Sequence, residues 1–341
     1  MTDVDPRRYL LPEAESKRIF AEKIIPKELA RGVPQEQPVV VFVAGQPGAG
    51  KTKTTDAIKR RLDQRGGAIV VNSDFYKPHH PEYSRLLAED DRTAAPYTSM
   101  DGRRWMALAE QYLIDNRVDA LVETTMRDPG DFAEPAAMFR AAGYQVEAAI
   151  LAVPEALSRL GIVQRYHDQV QQLGHGRLTA RSNHDAAYQG VQLAAADIDQ
   201  HRLVDEVKVY RRGNHLLYSN TLDAGVWREP PATATAIKTE RHRPWDPQET
   251  QAFADAVEKL SAEMGPEWRA ELQDITRLAE PVAHREVSLP RLALPASSAA
   301  RAFPAATRDA LASSSRAEHA VQSPVPPPTP SKIRDSTAPG R

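Results

Sequence analysis

No cysteine occurs among the 341 residues. That excludes a disulfide framework and any thiolate metal site, and it suits a reducing cytoplasm. A dominant charge is also missing, since 44 Lys and Arg stand against 46 Asp and Glu for a net of −2. A general nucleic-acid binder would show a basic excess, so no nucleic-acid partner is expected. No apolar run approaches the roughly 18 residues of a membrane-spanning helix. The opening MTDVDPRRYLLPEAESKRIF has no apolar stretch of signal-peptide length. Together these absences predict a soluble, cytoplasmic protein with no membrane partner. No internal repeat is visible.

What is present is an alternation of strands and helices. Residues 8–30 read as a helix that Pro26 interrupts. VVVFVA at 39–44 is a continuous β-branched run, suited to a strand buried on both faces. Helix-forming composition follows at 51–65, with a second strand at 68–71, a helix at 101–116 and a third strand at 120–123. Residues 132–142 read as helix and 146–153 as a fourth strand, and Pro154 suits the first turn of a helix that runs to about 172. Asn183 is placed to cap another helix through 196. A strand pair is expected at 204–210 and 216–219, joined around Gly213-Asn214. This order predicts an α/β domain with a mostly parallel sheet flanked by helices.

The chain divides on this reading into an N-terminal helix and connector (1–37), a kinase-type domain (38–222), and a linker with a helical segment (223–281). An Ala/Ser/Pro-rich tail (282–341), with PVPPPTP at 324–330, is expected to be disordered. In the helical segment, Asp246, Pro247 and Glu249 form a helix-start signature.

Gly45-Gln46-Pro47-Gly48-Ala49-Gly50-Lys51-Thr52 matches the phosphate-loop pattern G-x-x-x-x-G-K-[ST]. Glycines let the backbone amides turn towards a phosphate, and the following helix adds its positive end. Lys51 reaches β- and γ-phosphates, and Thr52 offers a hydroxyl to Mg²⁺. A chance match occurs in on the order of one in a hundred chains of this length, and the strand before and helix after lower that further. ATP and Mg²⁺ are the expected cofactors.

Binding a nucleotide is not yet a function. The N-K-x-D element of guanine-specific switches is absent, and the third strand ends in Glu123 where a motor ATPase would show Asp. A kinase for a small molecule fits better. Asp74 follows the second strand and is placed to accept a hydroxyl proton; a turn-capping Asp is the plain alternative. Glu123, Thr125 and Arg127 follow the third strand, and strand alternation would put Glu123 and Thr125 on one face, suiting a hydroxyl-rich acceptor. Arg165, Arg177 and Arg181 are candidates to neutralise the transferred phosphoryl group, against the simpler reading of a solvated basic face. His79 and His80 precede Pro81, too few ligands for a metal site.

FVAGQPGAGKT at 42–52, SDFYKPHHPEY at 73–83, ETTMR at 123–127, and RYHDQV followed by TARSNHD at 165–185 together resemble the zeta toxin family of toxin–antitoxin systems. The resemblance spans about residues 8–220. It implies a kinase acting on the 3′-hydroxyl of the amino sugar in UDP-N-acetylglucosamine, blocking peptidoglycan synthesis, with an antitoxin protein as partner. It assigns Asp74 as general base and Glu123 and Thr125 to the nucleotide sugar, with Arg127 nearby. Arg165 and Arg181 fall on the ATP phosphates, and His80 with Pro81 on the acceptor side. Lys77 stands where the family usually shows Arg. Other readings are a kinase for another hydroxylated molecule, such as an antibiotic or nucleoside, and a non-catalytic nucleotide-binding module. The helices after residue 244 lie outside the resemblance and suggest an attached regulator.

Overall fold

Every residue of Val39–Ala44 is buried, as a strand at the centre of a parallel sheet requires. This is β1 of the computed structural model, which describes residues 5–91 and 94–293. Its neighbours are β3 (Ala120–Thr124) on one side and β4 (Gln145–Leu151) on the other, both parallel to it. β2 (Ile69–Val71) extends the sheet beyond β3, and β5 (Glu206–Arg211) beyond β4, again parallel. β6 (His215–Asp223) and β7 (Val226–Trp227) complete the order β2-β3-β1-β4-β5-β6-β7 with antiparallel pairings.

The alternation of β1 divides two layers. Val40, Phe42 and Ala44 pack into the larger core with Trp105 and Leu113 of α5 (Ala94–Asn116), Phe132 and Phe139 of α6 (Gly130–Ala141), and Val191 and Ile198 of α8 (Arg181–His201). Val39, Val41 and Val43 face Ile58 and Leu62 of α2 (Lys51–Asp63). A third cluster joins α7 (Glu155–Leu173) to α10 (Pro247–Glu263) and α11 (Arg269–Ala279), with Leu160, Val163 and Tyr166 against Phe253, Val257, Trp268 and Leu272. The helices after residue 244 are therefore built into the main body, and residues 223–281 contribute to its core. Asp246 closes the anticipated capping box, accepting from the Glu249 amide while Glu249 accepts from the Asp246 amide.

Several boundaries depart from expectation. Pro26 does not break its helix. α1 (Glu13–Ile19) continues over Phe20–Leu29 with a wider turn, and the Ala30 amide bonds to the Ile25 carbonyl five residues back. The wider turn eases the contact between a proline ring and the preceding carbonyl. Asn183 is not a cap, because α8 already begins at Arg181 behind Ala180. The α5 helix starts at Ala94, ahead of the expected 101. Short helices at α3 (Ser73–Tyr76) and α4 (Tyr83–Glu89), and α9 (Thr233–Arg241), carry too little periodicity to read from sequence. The tail after residue 293 lies outside the described residues.

Candidate active site

Parallel pairing puts the carboxyl ends of β1, β2, β3 and β4 along one edge, where open α/β sheets bind ligands. The phosphate loop leaves β1 there. Gly48 has a φ of +76°, and a side chain on it would place Cβ 1.9 Å from the Ser158 carbonyl of α7. Only glycine lets the loop lie so close to that helix. Gln46 is fully buried behind the loop. Its side-chain amide donates to the Val153 carbonyl at 2.9 Å and to Ser158 Oγ at 3.2 Å, and its Oε1 accepts from Arg241 of α9 at 3.2 Å. Arg241 also lies over the Tyr188 ring, 3.8 Å from its centroid. Neither Gln46 as a structural strut nor Arg241 as its partner carries a sequence signal.

Lys51 opens α2 and arches back to donate to the Gly45 carbonyl at 2.7 Å. Burial pulls its pKa down to about 8, with Arg165 and Arg177 adding to the fall and the carboxylates of Glu123 and Asp74 opposing it. Thr52 is exposed on the same turn. Glu123 accepts from Thr55 Oγ1 at 2.5 Å and from Asn72 Nδ2 at 2.6 Å. Asn72 in turn caps α3, its Oδ1 accepting from the Asp74 amide at 2.9 Å. One asparagine thus links the carboxylate beside Lys51 to the backbone that carries Asp74. Thr55 and Asn72 had no assigned role in the sequence reading, since a mid-helix threonine and a strand-end asparagine are common without one.

Both Asp74 oxygens hold cations. Oδ1 lies 2.8 Å from Lys77 Nζ, and Oδ2 lies 2.8 Å from Arg177 Nη1. Burial works to raise the Asp74 pKa, but Lys77, Arg177 and Arg165 outweigh it and hold the carboxyl well below the usual range. Arg165 donates to Thr179 Oγ1 at 2.9 Å. Burial, then the charge of Arg177, lowers its pKa to about 10 against the pull of Asp74. Tyr83 stands by the same group. Burial raises its pKa, and Arg177 and Asp74 act on it in opposite senses.

The structure brings Lys51, Asp74, Glu123, Arg165 and Arg177 together, and it adds Lys77, Asn72 and Thr55. Arg181 is turned elsewhere, with Nη1 3.3 Å from Asp274 of α11 and Nε 3.8 Å from Asp185. Thr125 does not share a strand face with Glu123, because β3 ends at Thr124 and Met126 takes a left-handed φ of +47° before the bend at 127–128. Arg127 lies half-buried in that bend. His80 is fully buried. Its Nε2 is 3.0 Å from the Tyr9 carbonyl and 3.4 Å from Asp101, and its Nδ1 accepts from the Glu82 amide at 3.2 Å. These bonds tie the N-terminal segment to α5 and leave no polar atom of His80 for an acceptor, a correction to its expected place.

The sheet order, the glycine loop against α7, and Lys51 with Asp74 in its field at the strand ends define a P-loop phosphotransferase of the kinase type. The zeta toxin family model matches residues 26–223, more than half of the chain, and the chain belongs to that family. Toxin zeta of Enterococcus hirae is 25% identical over 251 residues, covering 72% of this chain and 85% of that protein. Toxin PezT of Streptococcus pneumoniae serotype 4 is 25% identical over 210 residues, covering 61% and 81%. A structure solved in work on the PezAT chromosomal toxin–antitoxin system of Streptococcus pneumoniae shares the fold. Its TM-score is 0.61 at 19% identity, over 74% of this chain and 98% of the other. α9, α10 and α11 lie beyond the family match.

Proposed function

We propose that this protein is an ATP-dependent kinase that phosphorylates the 3′-hydroxyl of the amino sugar in UDP-N-acetylglucosamine and so blocks peptidoglycan synthesis. The observation that carries the reading is the bridge from Lys51 to Asp74: Glu123 beside the lysine bonds Asn72, and Asn72 caps the turn that bears Asp74. A phosphoryl donor on one side and a proton acceptor on the other is the layout in-line transfer needs.

In this mechanism residues 45–52 cradle the triphosphate, and Lys51 and Arg165 neutralise charge that develops on the γ-phosphoryl group. The sugar oxygen bonds to the γ-phosphorus. The bond from that phosphorus to the bridging oxygen breaks, and its electron pair leaves with ADP. The hydroxyl proton passes to Asp74. Thr125 and Arg127, at the turn after β3, contact the nucleotide sugar, and Glu123 orients it from the strand end. Mg²⁺ suits the oxygen donors present, with the exposed Thr52 hydroxyl and the nearby Glu123 carboxylate as its holders, and when bound it neutralises phosphate charge.

The relatives are named as toxins, and the structural neighbour comes from a toxin–antitoxin system. On this reading an antitoxin protein restrains the chain in the cytoplasm, where nucleotide sugars are made. A second reading, another hydroxylated acceptor, is favoured by one observation. Lys77, which replaces the arginine usual in the family, is buried against Asp74 and offers a point charge where a guanidinium would offer a fork. Mass spectrometry of UDP-N-acetylglucosamine after incubation with the protein, ATP and Mg²⁺ tests the proposal. One added phosphate on the sugar is expected; an unchanged mass, with transfer to another molecule in an acceptor panel, would establish the second reading in its place.

A further inference from the structure

The loop between α7 and α8, residues 174–180, holds Arg177 between two anchored neighbours. The Gly176 amide donates to Asp91 Oδ2 at 2.8 Å. A side chain at Gly176 would put Cβ 2.7 Å from the Tyr166 carbonyl, so the loop lies directly on α7. Arg177's own amide donates to Gln169 Oε1 at 2.8 Å. Leu178 is buried in the cluster formed with α10 and α11, and Thr179 receives Arg165. The backbone is thus held on both sides of Arg177, while its long side chain reaches out to Asp74 and stays about a quarter exposed, at 26%.

The two cations on Asp74 differ in their freedom. Lys77 sits three residues along the same short helical stretch, and its side chain is only 10% exposed. It has nowhere else to go. Arg177 comes from another element and can pivot about a fixed backbone. Arg165 and Lys51 lie within reach of its charge, since Arg177 lowers the pKa of both. A γ-phosphate held by those two groups would present more negative charge, and a better match to a planar fork, than one carboxylate oxygen does.

Resting on the kinase reading above, we infer that Arg177 is a catalytic residue shared between two anions. Without nucleotide it is the counterion of Asp74; with ATP bound its guanidinium turns to the γ-phosphoryl group and leaves Asp74 free to take the acceptor's proton. ATP then prepares the base as well as supplying the phosphoryl group. Arg181 is not on Asp74 but pairs with Asp274 and Asp185.

The test compares MgATP and MgADP binding by calorimetry in the full chain, for the wild type, Arg177→Ala and Arg177→Lys. The γ-phosphate is the difference between the ligands. Arg177→Ala should weaken MgATP by about 10- to 100-fold and MgADP by less than about twofold. Arg177→Lys should recover part of the loss. Equal weakening of both ligands would mean that Arg177 only holds the loop, and unchanged ATP affinity would mean that it stays on Asp74; either overturns the inference. If the wild type phosphorylates no acceptor, the kinase reading fails, and the ATP-over-ADP ratio still decides the role of Arg177.

Discussion

Burial is the largest influence on Lys51 and lowers its pKa from 10.5 to about 8. Between those values the unfolded chain keeps the lysine proton and the folded chain does not, so this residue's contribution to stability rises with pH across that window. A triphosphate favours the charged ammonium. MgATP binding at pH 9 should therefore take up a proton, measurable by calorimetry in buffers of different ionisation enthalpy. Lys51→Ala should remove both the uptake and phosphoryl transfer. Asp74 makes the opposite kind of prediction. Asp74→Asn keeps the shape and loses the proton acceptor, so turnover should fall about 10²- to 10⁴-fold, with MgATP affinity kept or improved because Arg177 is released. An equal loss of ATP affinity, read by the same calorimetry, would place Asp74 on the nucleotide. Glu110 of α5 is a third titrating residue. It is buried, and burial raises its pKa from 4.5 to about 8. Over that range the fold binds the proton that the unfolded chain releases, so stability falls as pH rises. Glu110→Gln should flatten that fall, as thermal unfolding from pH 5 to 8 would record.

At the scale of elements, α7 carries the most. Its first turns support the phosphate loop through Ser158, its middle carries Arg165, and its outer face packs on α10 and α11. Trp268 stacks near Tyr166 on that face at 5.2 Å between ring centroids. Trp268→Ala should cost about 3–5 kcal/mol and lower Tm by roughly 10 °C, as differential scanning calorimetry would measure. Elements of this kind were legible where a local pattern was long. β1, α2, β4 and α7 follow from apolar runs, glycine stops and a proline start. α3 was not legible, because four residues show no period, and its cap depends on Asn72 reaching a backbone amide that only the fold positions.

For the whole molecule, the sequence suggested that the C-terminal helices are an attached regulator, and the packing shows what removing them would expose. Removing residues 245–341 would uncover Leu160, Val163 and Tyr166 and strip the buried Arg159 of Glu271, 3.1 Å away. Arg159 would keep only Glu155, 3.4 Å away on its own helix, and both an exposed apolar face and the loss of one partner of a buried ion pair are costly. The truncated protein should therefore aggregate or unfold at lower temperature, with kinase activity lost alongside. A soluble, fully active fragment in a thermal melt and activity assay would overturn this expectation, and its unchanged activity would also count against a regulatory role for these helices.

The sequence alone determined the phosphate loop, the strand–helix order and the positions of Asp74 and Glu123, because each rests on neighbouring residues whose spacing sets the local backbone. Tertiary structure decided which long side chains meet. Arg177 reaches Asp74 and Arg181 reaches Asp274, although both arginines lie in one short stretch. His80 became a buried strut, and Arg241 came to lie behind Gln46 from 195 positions away. An arginine has many rotamers of similar energy, and its partner is chosen by whichever acid the folded chain brings within reach; no local pattern records that choice.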